Sequence, residues 1–229
     1  MLFNSLDFYL FLPIVFLLYW FVFKQLQWQN LFVVICSYVF YGWWDWRFLL
    51  LIAFTTLFSY GSGLMIEHYA GRRKAQRMVS AANIVLNLLI LGIFKYYNFF
   101  AENMAVLLRQ FGMVADWPTL NIILPVGISF YTFQALSYTI DVYRGNIKPT
   151  RDIVAFFAFI SFFPQLVAGP IERATNLLPQ FQRKRSFDYV RAVDGMRQML
   201  WGFFKKMVIA DNCAALVNEG WGRLSENLK

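Results

Sequence analysis

The chain has 229 residues, 59% of them hydrophobic before its 13 glycines are counted, and only 15% charged. Soluble domains run at about 45–50% apolar with glycine included and about 25% charged, so a soluble globule is excluded, as are a disordered chain, a collagenous chain and a disulfide-rich secreted domain. The net charge is +8, and its basic residues lie in clusters between apolar runs. That is the pattern of loops held at the cytoplasmic face of a membrane, not of a nucleic-acid surface. Cys36 and Cys213 both sit in apolar surroundings, and neither their number nor their spacing supports a metal site or a disulfide framework.

A helix needs about 20 mostly apolar residues to cross a bilayer, with a working range of about 17–25. The uncharged runs are Phe8–Phe23, Gln25–Trp44, Phe48–Ile66, Met78–Phe94, Trp117–Ile140 and Ile153–Ile171. The leader Met1–Asp7 carries no positive charge, which argues against a cleavable signal peptide. Aromatic rings crowd the ends of the runs at Trp20, Trp28, Trp43, Trp44, Trp46, Tyr96 and Tyr97, where amphipathic side chains meet headgroups. Spanning segments must satisfy their own backbone, and these runs lack the alternation of a barrel strand, so they read as helices. The fold expected is an all-α, polytopic transmembrane helical bundle.

Three basic clusters set the orientation. Arg72, Arg73, Lys74 and Arg77 form the first; Arg144, Lys148 and Arg151 the second; residues from Arg173 to Arg191 the third. Holding all three in the cytoplasm requires two crossings between the first pair, supplied by Met78–Phe94 and Trp117–Ile140. Three crossings before Glu67 then put the N-terminus outside. A single crossing by Ile153–Ile171 would break the rule. Pro164 and the pair Gly169–Pro170 interrupt any straight helix there, so a broken or re-entrant segment is expected. Beyond Pro179, Ser186 reads as an N-cap, and Phe187, Val190, Val193, Met196, Leu200, Phe203, Phe204, Met207 and Val208 recur at helical spacing. Two readings stay open for this helix: an interfacial amphipathic helix, or one packed inside the bundle.

Soluble-enzyme motifs for nucleotide, serine-nucleophile or zinc chemistry are absent. Gly61-Ser62-Gly63 reads as small residues that let helices approach closely. His68, the single histidine, reads as a solvated loop residue. Asn83 and Asn87 on one face of the fourth run, and Ser129, Thr132, Gln134 and Ser137 in the fifth, suit interhelical hydrogen bonds. Gln165, inside the broken segment with Glu172 and Arg173 beyond it, reads either as a helix-bridging amide or as the lining of a cavity. Lys95, beside Tyr96 and Tyr97, reads as a cation snorkelling to the interface. No residue implies a bound cofactor or a metal.

Several strings occur together and in order: Val39-Phe40-Tyr41-Gly42-Trp43-Trp44, Phe94-Lys95-Tyr96-Tyr97-Asn98-Phe99-Phe100, residues 124–134 (LPVGISFYTFQ), Asp141-Val142-Tyr143-Arg144-Gly145, residues 163–173 (FPQLVAGPIER) and residues 206–212 (KMVIADN). In this combination the chain resembles the membrane-bound O-acyltransferase family, in its bacterial branch of alginate O-acetyltransferases. The resemblance implies a multi-pass enzyme of the bacterial inner membrane that moves an acyl group to a hydroxyl of an exported polysaccharide such as alginate. It also implies a tunnel, whose lining here falls to Gln134, Pro164, Gln165, Gly169, Pro170, Glu172 and Arg173. Membrane lipid, an acyl donor, a polysaccharide acceptor and other polysaccharide-modification proteins are the partners implied. The family's catalytic histidine lies in the second half of a longer chain. No histidine follows His68, so that residue is expected beyond Lys229, and residues 1–229 read as the N-terminal portion of one such domain. The rival expectation is a non-catalytic membrane scaffold or conduit for a separate acyltransferase.

Overall fold

The computed structural model describes residues 3, 5–43, 45–110, 125, 127–166 and 169–227. Trp44, Leu124, Val126, Val167 and Ala168 of the strings above lie outside them, as does the stretch 117–124 of the fifth run. The described residues contain helices and no strand, as the absence of alternation predicted. The chain divides into two compact units, Phe23–Lys184 and Met1–Val22 with Arg185–Lys229.

The larger unit opens with α2 (Leu26–Gly42) and α3 (Arg47–His68), joined by a short turn. In that turn the Asp45 carboxylate accepts from both the backbone N–H and the Nε–H of Arg47, which hold its carboxyl below the usual range. Helix α4 runs from Arg73 to Gln110, 38 residues or about 57 Å at 1.5 Å per residue. The apolar run ends at Phe94, but the helix does not, because Lys95 and Glu102 end hydrophobicity without breaking backbone hydrogen bonds. Helices α3 and α4 are long and apolar enough to cross a membrane by length and composition.

Helix α5 (Ile128–Arg144) is bounded by glycines with left-handed backbone, Gly127 at φ 77° and Gly145 at φ 79°. At its end the Gly145 N–H bonds the Val142 carbonyl and the Asn146 N–H bonds that of Asp141, the paired closure that a left-handed residue allows. Of the Gly61-Ser62-Gly63 triplet, only Gly63 is pressed by a neighbour. A Cβ there would meet the Tyr138 hydroxyl at 2.4 Å, whereas one at Gly61 would meet nothing within 4 Å. The expectation of close helix approach therefore holds at one glycine.

The first two basic loops share one end of this unit. Arg151 pairs with Glu67 at 3.7 Å, and the Arg73 guanidinium lies 5.7 Å from the Tyr143 ring centroid. Helix α6 (Ile153–Ser161) starts from that end with Asp152 as its N-cap, accepting from the Ala155 N–H. A one-turn helix α7 (Phe163–Leu166) and then α8 (Ala174–Gln182) follow. The last residue of α8, Gln182, donates through Nε2 to the Thr150 hydroxyl at 2.9 Å. The segment therefore leaves the basic end and comes back to it.

In the smaller unit, α1 (Leu6–Leu17) continues as a π-helical turn (Leu18–Val22). Helix α9 (Tyr189–Phe203) runs through a second π-helical stretch (Phe204–Ala210) into α10 (Asp211–Asn227). The cap of α9 is Asp188, not Ser186. Its carboxylate accepts from the N–H groups of Val190 and Arg191, so the helix starts two residues later than predicted. An ionised acceptor on two open donors at the positive end of the helix dipole outcompetes the serine. Tyr9 packs against Phe203 and donates to the Met207 sulfur, while Phe187 packs against Phe16, Trp20 and Phe21. None of the described side chains of α9 and α10 is fully buried.

Candidate functional site

The site begins with a missing hydrogen bond. In a continuous helix the Phe163 N–H would bond the Phe159 carbonyl, but Phe162 turns to ψ 104° and separates them. Pro164 follows; in a continuous helix it would have no N–H to give the Ile160 carbonyl, whereas in the first turn of α7 that lack does no harm. The break thus falls two residues ahead of the proline, and well ahead of Gly169–Pro170, where the sequence also signals one.

Both freed groups find partners on neighbouring helices. The Phe163 N–H donates to the Ser37 hydroxyl of α2 at 3.2 Å. The Phe159 carbonyl accepts from Gln134 Nε2 of α5 at 2.9 Å. The same Gln134 amide donates to Gln165 Oε1 at 3.4 Å, and Gln165 Nε2 donates in turn to the Pro170 carbonyl at 2.5 Å. The Gly169 N–H closes the group by donating to the Gln165 carbonyl at 3.1 Å. Gly169 has no room for a side chain: a Cβ would meet Gln165 Cα at 2.8 Å. Gly127 has none either, because its Cβ would meet the Leu166 carbonyl oxygen at 2.4 Å.

Of the seven predicted lining residues, the structure gathers Gln134, Gln165, Gly169 and Pro170 into this chain of bonds. Gln134 and Gln165 are buried, at 3% and 8% exposure. Pro164 is exposed. Glu172 is half-buried and accepts from Asn176 Nδ2 at 2.8 Å. Arg173 is exposed and faces a separate cleft of about 410 Å³, shared with Asp141, Arg144 and Asn146.

Asn83 and Asn87 serve the interhelical bonding expected of them. Asn83 donates to Thr139 of α5 and accepts from Ser59 of α3, while Asn87 donates to Asn83 and to Ser59. His68 ends α3 exposed, against the Tyr69 ring. Among the described residues no group of three or more His, Cys, Asp or Glu could hold a metal ion. The sequence reading missed Ser37, and an isolated serine in an apolar run carries no signal of which backbone it will cap. It also missed Asn30, whose Nδ2 donates to the Phe181 carbonyl at 2.7 Å and ties α2 to the end of α8.

No family model and no solved structure matches the chain. Curated relatives do. The chain is 41% identical over 219 residues to a probable alginate O-acetylase of Pseudomonas aeruginosa, covering 95% of this chain and 41% of that protein. It is 39% identical to a probable alginate O-acetylase of Azotobacter vinelandii, covering 95% of this chain and 43% of that one. It is also 32% identical over 253 residues to a peptidoglycan O-acetyltransferase of Helicobacter pylori, covering 97% of this chain and 47% of the other. The chain thus spans less than half the length of the relatives it matches. On this likeness, the chain is similar to a portion of proteins named probable alginate O-acetylase and peptidoglycan O-acetyltransferase.

Proposed function

We propose that the chain is the N-terminal portion of a multi-pass inner-membrane O-acetyltransferase that modifies an exported polysaccharide, of which alginate is the leading candidate. The observation that carries this reading is identity of 41% to a probable alginate O-acetylase across nearly the whole chain. The peptidoglycan O-acetyltransferase among the relatives supports the broader acceptor class, an extracytoplasmic glycan bearing free hydroxyls. The hairpin α6–α8 is a re-entrant segment in this reading. Its nine-residue first arm reaches about 13 Å, roughly half of a 30 Å hydrocarbon core, and both arms meet the basic end. Gln134, Pro164, Gln165, Gly169, Pro170 and Glu172 line the path beside it, while Arg173 faces the separate cleft. Helix α9 lies along the cytoplasmic interface.

Acetyl transfer needs a base to take the proton of the attacking hydroxyl and donors to steady the charge on the acyl oxygen. Gln134 and Gln165 can position and donate but cannot take a proton at neutral pH. The base belongs to the remainder of the protein, and the role of this portion is to build the walls. A second reading, a non-catalytic scaffold for a separate transferase, draws on the same fact: the two buried amides hold backbone carbonyls.

The test is polysaccharide acetylation in cells lacking the endogenous enzyme. Residues 1–229 alone should insert in the membrane and transfer no acetyl group, since loss of a positioned base forfeits about 10²–10⁴ in rate before loss of positioning is counted. Adding the remaining portion as a second chain should restore transfer. In the complete protein, Gln165→Ala should lower transfer with membrane level unchanged. Acetylation by the 229 residues alone would place the base within them and overturn this division of labour.

A further inference from the structure

The cleft beside the C-terminal half of α5 holds charges that the reading above leaves without a task. Asp141 is buried, at 7% exposure. Its Oδ1 accepts from Asn146 Nδ2 at 3.0 Å, but its Oδ2 has no hydrogen-bond partner. Arg144 and Arg173 border the same cleft, both exposed, and among the described residues neither is ion-paired with Asp141 or with any other acid. Two cations and a buried carboxylate thus share one cavity of about 410 Å³ without bonding one another. A guest that carries both an anion and a donor fits between them.

Apart from Ser137, the rest of the lining is apolar. Phe133, Leu136 and Ile140 climb α5 away from the charges, and Ile171 faces them from the chain beyond α7. Charge sits at the basic end and hydrocarbon lies above it, which is the polarity of one leaflet of a bilayer. A free sugar phosphate or an inorganic anion would leave the apolar wall unused.

We propose that this cleft binds a membrane phospholipid whose headgroup carries a hydrogen-bond donor as well as its phosphate. Arg144 and Arg173 take the phosphate oxygens through charge-assisted bonds. Asp141 Oδ2 takes the donor, an ammonium of an ethanolamine headgroup or a hydroxyl of a glycerol headgroup. Phe133, Leu136, Ile140 and Ile171 carry an acyl chain. The proposal rests on the membrane-spanning reading above and not on acyl transfer, so a chain that transfers nothing and still selects its lipid sustains it.

Native mass spectrometry of the full 229-residue chain in detergent tests it, by titration with dioleoyl phosphatidylethanolamine, phosphatidylglycerol and phosphatidylcholine. The choline lipid has the phosphate and the chains but no donor. The ethanolamine or the glycerol lipid should bind about tenfold more tightly than the choline lipid, and the tighter of the two identifies the donor. Asp141→Asn, which can keep a bond to Asn146, should erase that preference. Arg173→Gln, at an exposed position where folding is not at risk, should weaken all three lipids by about fivefold. Equal binding of the choline lipid by the unaltered chain, or lipid affinity untouched by Arg173→Gln, would overturn the proposal. So would displacement of bound lipid by inorganic phosphate as effective as displacement by the lipid headgroup, since that would make the cleft a small-anion site.

Discussion

The break between α6 and α7 and the polar cluster between α3, α4 and α5 both place amides and hydroxyls inside an apolar bundle, but they bond different things. At the break, Ser37 and Gln134 catch backbone groups that an interrupted helix has released. In the cluster the helices are continuous and the bonds run mainly from side chain to side chain, among Ser59, Asn83, Asn87 and Thr139. Losing a partner has different consequences in the two places. An orphaned carbonyl stays where the fold put it, with no water to replace the donor. A cluster replaced by hydrocarbon of similar shape leaves fewer groups stranded.

Three substitutions test this contrast, and unfolding titrations in mixed micelles read each of them. Gly127→Ala should cost the most, about 3 kcal/mol, because it combines left-handed backbone with a Cβ driven onto the Leu166 carbonyl. Gln134→Leu should cost about 2 kcal/mol by stranding the Phe159 carbonyl. Asn83→Leu should cost about 1 kcal/mol, since interhelical polar bonds in membranes average well under that each. A larger loss for Asn83→Leu than for Gln134→Leu would reverse the contrast.

Much of this was legible in the sequence, and the failures have physical reasons. Chemistry that stops a helix shows in composition, so Pro164 announced a break between 153 and 171. Its location at Phe162 depended on Ser37, 126 residues away, being there to receive the Phe163 N–H. Asn83 and Asn87 were readable because their spacing puts both amides on one helix face. Gln134 and Gln165 were readable as costly buried amides, but not as partners of each other and of two carbonyls. Gly61 and Gly63 look alike in sequence, and only the facing Tyr138 separates them. Hydropathy misplaced the end of α4 because charge terminates an apolar run without terminating a helix. The tie from Gln182 to Thr150 had no local signal, yet it marks the end to which the hairpin returns.

Cysteine accessibility reads whether the hairpin comes back to the side of the membrane from which it sets out. In a background with Cys36→Ser and Cys213→Ser, single cysteines at Arg73, Lys148 and Lys184 would be exposed to an impermeant thiol reagent in intact cells. If Ile153–Gln182 enters and leaves on the cytoplasmic side, as proposed, all three stay protected in intact cells and all three label once the membrane is permeabilised. Labelling of Lys184→Cys in intact cells, with Lys148→Cys still protected, would show a full crossing and contradict it.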